Sequence, residues 1–201
     1  AVSRRRLDRY MQDSNGLLDS ALSLYERNAR IAEAFYRPLQ ALEVCLRNHL
    51  AAELRATYAA GWYRNGGPGF DAGTVAKIRK AEQDLLADRR IISVDSVTAE
   101  LSFGFWVSIL GRRYDASLWR TCFAKRFRNG GRGMARQDVH SRVDKIRRFR
   151  NRVFHHEPIY HLDPAQMHAE IIEAIGWMCP DSAAWALHHS RVDYVLENPW
   201  P

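Results

Sequence analysis

Arg147-Arg148-Phe149-Arg150-Asn151-Arg152-Val153-Phe154-His155-His156-Glu157-Pro158-Ile159 brings cations, two histidines and a carboxylate to the end of one apolar-periodic segment. Upstream, Val139, Val143 and Ile146 join Phe149 and Val153 at spacings of three and four. That pattern predicts a helix over 138–156 with one stripe turned to a core. Pro158 disfavours helical geometry at Glu157 and sets the stop. At about 100° per residue Arg150 falls inside the stripe, between Ile146 and Val153, where a guanidinium needs a partner or a task. Asn151 and His155 stand one turn apart on the neighbouring polar face, and His156 and Glu157 follow. An anion binder, an amide and proton carriers are thus gathered within about two turns.

The run RNRVFHHEPI, 150–159, resembles the signature of the Abi-like (abortive infection) proteins of the HEPN superfamily of helical ribonucleases. Arg150, Asn151 and His155 fit its RNxxxH form, and His156 satisfies the looser spacing that the superfamily also uses. Two further blocks carry the likeness: LYERNARIAEAFYRPLQALEVCLRNHL at 24–50 and ELSFGFWVSILGRRYDASLW at 100–119. Together the similarity covers most of residues 20–160.

The resemblance implies an all-α, HEPN-like helical bundle with additional helices. It implies metal-independent endonucleolytic cleavage of RNA, leaving a 2′,3′-cyclic phosphate and a 5′-hydroxyl, with no cofactor. His155 would carry protons, with His156 as runner-up; Arg150 would clamp phosphate and Asn151 would orient them. The family usually joins two motifs in one cleft and this chain holds one complete copy. A homodimer with both motif helices at its interface follows. The biological role implied is that of a phage-defence or toxin-like effector, with an RNA or protein antitoxin as a further partner. On an ideal helix Arg150 and His155 lie about 140° apart. Either the helix end is distorted or the two meet across a two-fold.

Other readings stay open. Arg150 and Asn151 can satisfy buried polar groups while the histidines cap the helix. The same basic surface also suits a non-catalytic RNA-binding protein. A zinc site fits less well: His156-Glu157 begins like HExxH, but Tyr160 stands at the closing position and Pro158 breaks the helix.

With 201 residues, 46% of them hydrophobic, the chain is read as one domain, 1–201. Between 112 and 152 fourteen Lys or Arg face only Asp115, Asp138 and Asp144, whereas the remainder holds sixteen cations and twenty acids. So concentrated an excess suits a polyanion, and nucleic acid fits best because no basic amphipathic membrane helix accompanies it. Arg128, Arg132, Arg136, Arg147, Arg148 and Arg152 are the expected RNA contacts. Cys45, Cys122 and Cys179 are odd in number and lack metal-ligand spacing, which points to reduced thiols. The basic start AVSRRRLDRY has no apolar signal core, and the richest apolar run, 101–110, is too short to span a bilayer. A cytoplasmic protein without a membrane partner is expected.

Elsewhere the chain reads as helices. One short basic helix is expected over 3–12, and one or two over 17–36. Pro38 either opens the next helix, 38–58, or kinks a continuous one. That helix has its stripe at Leu39, Leu42, Leu46, Leu50 and Leu54. Glu43 precedes Arg47 by four residues, an ordinary helix pair; alternatively Glu43 or Asn48 faces the 138–156 helix and orients Arg150. The glycine-rich 61–73 is a loop and not a phosphate-binding one, since no strand precedes it and no Gly-Lys-Ser/Thr follows. A helix over 74–87 leads to an extended connector at 91–94. Asp95 or Ser96 is expected to cap a helix to about 110, whose Phe103, Phe105 and Trp106 belong to a core before they belong to a base-stacking surface. A helix over 118–127 ends in a flexible basic loop, 128–133. Asp163-Pro164 caps a helix to 178, and Asp181 or Ser182 opens a last one ending near 196.

Overall fold

The periodic stripes resolve into an all-α chain. A computed structural model describes residues 4–64 and 67–198. It contains α1 (Arg4–Asp13), α2 (Leu18–Ala34), α3 (Tyr36–Tyr58), α4 (Ala72–Ala87), α5 (Val94–Glu100) and α6 (Phe103–Ser108). These are followed by α7 (Arg136–Phe154), α8 (Pro164–Gly176), α9 (Pro180–His188) and α10 (Val192–Glu197). The Ser3 start expected for the first helix lies outside the described residues.

α3 holds the centre because its stripe is complete. Leu39, Leu42, Leu46, Leu50 and Leu54 are all at most 2% exposed, each worth about 1.5–3 kcal/mol of burial. It packs on α8, α9, α6 and the segment 115–123, while α7 lies across α6 and α8. Only Phe35 separates α2 from α3, so Pro38 sits in the first turn of α3, where its missing N–H costs nothing. Val139, Val143, Ile146, Phe149 and Val153 are all buried, and Phe149 meets Phe35 edge-on at 4.8 Å. One buried cluster runs from Ile31 to Val195. Phe103, Phe105 and Trp106 lie within it, the Trp106 indole N–H donating to the Leu101 carbonyl at 3.2 Å. They are core and not a stacking surface. Cys45, Cys122 and Cys179 are free thiols. Among the described residues no helix is long and apolar enough to cross a membrane.

Several expected elements differ. The cap before α5 is Ser93, in a reciprocal box with Ser96, not Asp95 or Ser96. The single helix expected to about 110 breaks at Leu101, whose backbone is extended, and Ser102 caps α6 by accepting from the Phe105 N–H at 3.3 Å. Residues Asp115–Phe123 wind as a π-helix. That wider turn sets Asp115 against Arg120, five residues on, at 2.8 Å, and lets Thr121 donate to the Ala116 carbonyl at 2.9 Å. The basic loop is a tight antiparallel hairpin, Arg128–Asn129 against Arg132–Gly133. Gly130 and Gly131, both at positive φ, make its turn. The last helix is two, with Cys179 capping α9 and a break before α10.

Glu53, 1% exposed on α3, forms an ion pair with Lys125 at 2.7 Å and accepts from Arg126 at 2.5 Å. Burial alone would raise its pKa, but the two cations outweigh that and hold it below the ordinary 4.5. A depressed carboxylate stabilises the fold above its unfolded pKa, and that contribution is lost as pH falls through the folded value. The urea midpoint should therefore fall as the pH drops below about 4.5, and Glu53→Gln should flatten that limb. An acid limb unchanged in the variant would remove Glu53 from the explanation.

Candidate functional site at the end of α7

α7 ends at Phe154, two residues earlier than expected, through a backbone reversal. His155 caps it with φ −90°, its N–H on the Asn151 carbonyl at 2.9 Å. His156 turns left-handed, φ +56°. The His156 N–H then reaches the Val153 carbonyl at 3.1 Å and the Glu157 N–H reaches the Arg152 carbonyl at 2.9 Å. This paired closure satisfies the last carbonyls and usually uses glycine at the left-handed position. Arg152 and Glu157 pair at 3.1 Å across the same turn. His156→Gly should raise stability by about 1 kcal/mol by relieving the left-handed backbone. A lowered urea midpoint would contradict that assignment.

The segment after the reversal is held by a residue that periodicity did not single out. Asn28 of α2, 4% exposed, accepts from the Ile159 N–H at 2.7 Å and the Tyr160 N–H at 3.2 Å, and donates to the Glu157 carbonyl at 3.3 Å. A signal was present, since Asn28 occupies the stripe of Ala21, Ile31 and Phe35 as a polar member. Beside it the Tyr160 hydroxyl donates to Asp13, which Arg9 also holds at 2.9 Å. Burial and then Asp13 push Tyr160 up to about 12. Burial and the charges of Arg9 and Arg152 push His161 down.

Arg150 turns from the stripe toward α3. Its guanidinium donates to Glu43 at 3.4 Å and lies 4.0 Å from the centre of the Phe154 ring. Glu43 therefore pairs with Arg150 and not with Arg47, which reaches the Ala99 carbonyl at 3.4 Å. Asn48 lines a different cleft, with Trp185. Phe154 in turn meets Tyr36 at 5.3 Å, and Tyr36 is 54% exposed. The Tyr36–Phe154 pair divides two clefts. Arg150, Glu43 and Arg47 line one of about 260 Å³; His156 and Asn28 line one of about 490 Å³. Of the four candidate catalytic residues, Arg150 and His156 thus flank the same aromatic pair. His155 is exposed and lines neither cleft, and the half-buried Asn151 makes no side-chain hydrogen bond among the described residues. Because α7 stays helical through Phe154, the angle between Arg150 and His155 is not removed within one chain.

The basic surplus is largely neutralised in three dimensions. Among the described residues, all of the cations between 112 and 152 but Arg112, Arg128 and Arg132 stand within ion-pair distance of a carboxylate. Many of those acids come from outside the segment: Glu43, Glu53, Asp71, Glu157, Glu170 and Glu173. Arg136, its side chain 14% exposed, is committed to Asp115 at 3.2 Å and the Leu110 carbonyl at 3.1 Å, so it is structural and not a surface contact. Arg147 and Arg148 share Asp144 at 2.8 and 3.1 Å. Arg128 and Arg132 remain exposed on the hairpin, the Arg128 guanidinium donating to the Gly131 carbonyl at 3.2 Å.

Comparison with protein-family models, curated proteins and solved structures finds no match.

Proposed function

We propose that this chain is a metal-independent RNA endonuclease of the HEPN type, acting in the cytoplasm as an abortive-infection or toxin-like effector. The observation that carries the reading is Arg150, oriented by Glu43 and stacked on Phe154, within one turn or so of two histidines at the helix end. RNA supplies its own nucleophile, so few protein groups are required. One histidine takes the proton of the 2′-hydroxyl as that oxygen bonds to phosphorus. The bond from phosphorus to the 5′-oxygen breaks, and a second histidine protonates the departing oxygen. Arg150 offers two donors to the charge that builds on phosphate. Two proton carriers on opposite sides of phosphate suit a homodimer, with the His155 of one copy working beside the Arg150 of the other.

The test is incubation of the protein with a mixed RNA pool in EDTA, followed by sequencing of cleaved ends and assay for 2′,3′-cyclic phosphate. Intact RNA at high enzyme concentration would sink the catalytic reading. One observation favours a second reading, a non-catalytic RNA binder or a toxin held inactive by an RNA or protein antitoxin. Glu43 already occupies the guanidinium that phosphate would need.

A further inference from the structure

Burial removes the α6 aromatics from any contact with a base, yet one large ring stands open elsewhere. Trp62, Trp106, Trp119 and Trp177 are at most 6% exposed, whereas Trp185 on α9 is 57% exposed. It forms one wall of a cleft of about 620 Å³ between α3 and α9, with the His189 ring beside it at 4.8 Å. An indole in that position forgoes the burial that the other four obtain. Ala41, Val44 and Cys45 of α3 give the cleft an apolar floor, and Gln40, Asn48 and His49 stand around it. Neither amide, nor the Trp185 indole N–H, makes a side-chain hydrogen bond among the described residues. His49 donates from Nδ1 to the Cys45 carbonyl at 2.9 Å, which leaves Nε2 of the neutral ring as an acceptor.

The position of this cleft matters as much as its lining. Gln40 and Val44, one turn apart on α3, line both it and the Arg150 cleft, so they form the ridge between the two. Exposed apolar side chains such as Leu17, Leu86 and Ile91 line neither. A flat ring, an apolar floor and unpaired polar groups at the edge are what a heteroaromatic base requires, since it has two faces to stack and an edge to hydrogen-bond.

We infer that the α3–α9 cleft is a base-binding subsite for single-stranded RNA, in which Trp185 stacks on the base of a nucleotide next to the phosphate held at Arg150. This rests on the RNA reading above and narrows its substrate class. A base inside a duplex must leave its stack before it can enter a cleft, so unpaired strand is selected. Trp185 supplies the stacking face, and Gln40, Asn48 and His49 meet the edge of the base. Continuity with the Arg150 cleft favours a strand that carries phosphate over an apolar segment of a partner protein.

The test uses Trp185→Ala, at an exposed position, with folding checked by circular dichroism. Trp185→Phe keeps a ring, and Tyr194→Ala removes another exposed ring that lines neither cleft. Binding of a labelled 2′-O-methyl oligoribonucleotide, which cannot be cleaved, is measured by anisotropy over a salt series, single-stranded and as a duplex. Arg150→Ala is measured alongside, and sedimentation without RNA gives the oligomeric state. Trp185→Ala should bind the single strand about tenfold more weakly. The slope of log affinity against log salt should not change, because no phosphate contact is lost. Trp185→Phe should recover most of the affinity, Tyr194→Ala should match the wild type, and the duplex should bind more weakly than the single strand.

Unchanged affinity in Trp185→Ala, beside a loss in Arg150→Ala, would overturn the subsite while leaving the RNA reading intact. So would equal affinity of the wild type for duplex and single strand. An equal loss with Tyr194→Ala, or a flatter salt slope in Trp185→Ala, would also overturn it, because stacking in this cleft predicts neither. A wild-type dimer that dissociates in Trp185→Ala would show that a second copy covers the cleft, and the subsite would fall. No binding of either RNA by the wild type would sink both readings.

Discussion

Asn28→Leu is expected to lower the unfolding free energy by about 3 kcal/mol, the largest loss of stability from any single polar side chain near the site. The substitution keeps the branched outline of the side chain but removes all three bonds to the segment after α7. The Ile159 N–H, in a residue with no exposed surface, would be left without a partner, as would the Glu157 carbonyl and the Tyr160 N–H. Burial without a partner costs more than the bond itself contributes, because water held the same group in the unfolded chain. Asn28→Asp should lose less, since one oxygen can still accept from both N–H groups while only the donor to Glu157 disappears. Urea denaturation gives the energies, and hydrogen exchange at Ile159 locates the effect. A wild-type midpoint in Asn28→Leu together with unchanged Ile159 exchange would show that the packing of Ile159 alone holds the segment.

Arg150→Ala is expected to reduce EDTA-resistant cleavage by about 10²–10³-fold, the range for losing one preorganised donor group to a developing anion. The protein should remain folded, since the pair with Glu43 is partly solvated and contributes about 1 kcal/mol or less. Arg150→Lys separates charge from geometry: it keeps the cation and loses the planar fork, so a large loss there assigns the effect to two-point recognition. His155→Ala should be as severe. Mixing Arg150→Ala with His155→Ala chains should restore part of the activity if each cleft takes one residue from each copy, because one of the two clefts in a mixed dimer is then intact. Undiminished cleavage by both single variants would remove the motif from the chemistry.

The fold was legible where a residue's role follows from its spacing. The stripes of α3 and α7 were readable because burial on one face of a helix repeats every three or four residues. Arg150 was readable for the opposite reason, as a cation where that repeat calls for an apolar side chain, and Glu43 was already one of its two expected partners. What sequence could not deliver depends on partners brought from far along the chain. The concentration of positive charge at 112–152 looked like an open polyanion surface, yet carboxylates such as Glu53, Glu170 and Glu173 come across to meet it. The left-handed His156 carried no glycine to announce it. Leu101 and Ser102 sit inside an unbroken apolar run, so only the extended backbone at Leu101 reveals two helices.

The clasp between Asn28 and Ile159 joins residues 131 apart, and the contact between Glu43 and Arg150 joins residues 107 apart. During synthesis, α2 and α3 leave the ribosome long before the strand they must hold exists. Contacts of that separation form late because a long loop has to close first. A nascent chain therefore presents its arginines and exposed aromatics for most of its translation without an assembled site. On the proposed RNA-cleavage reading, a chain truncated anywhere before Ile159 lacks the clasp that sets the end of α7 and is expected to be inactive, so activity arises only late in translation.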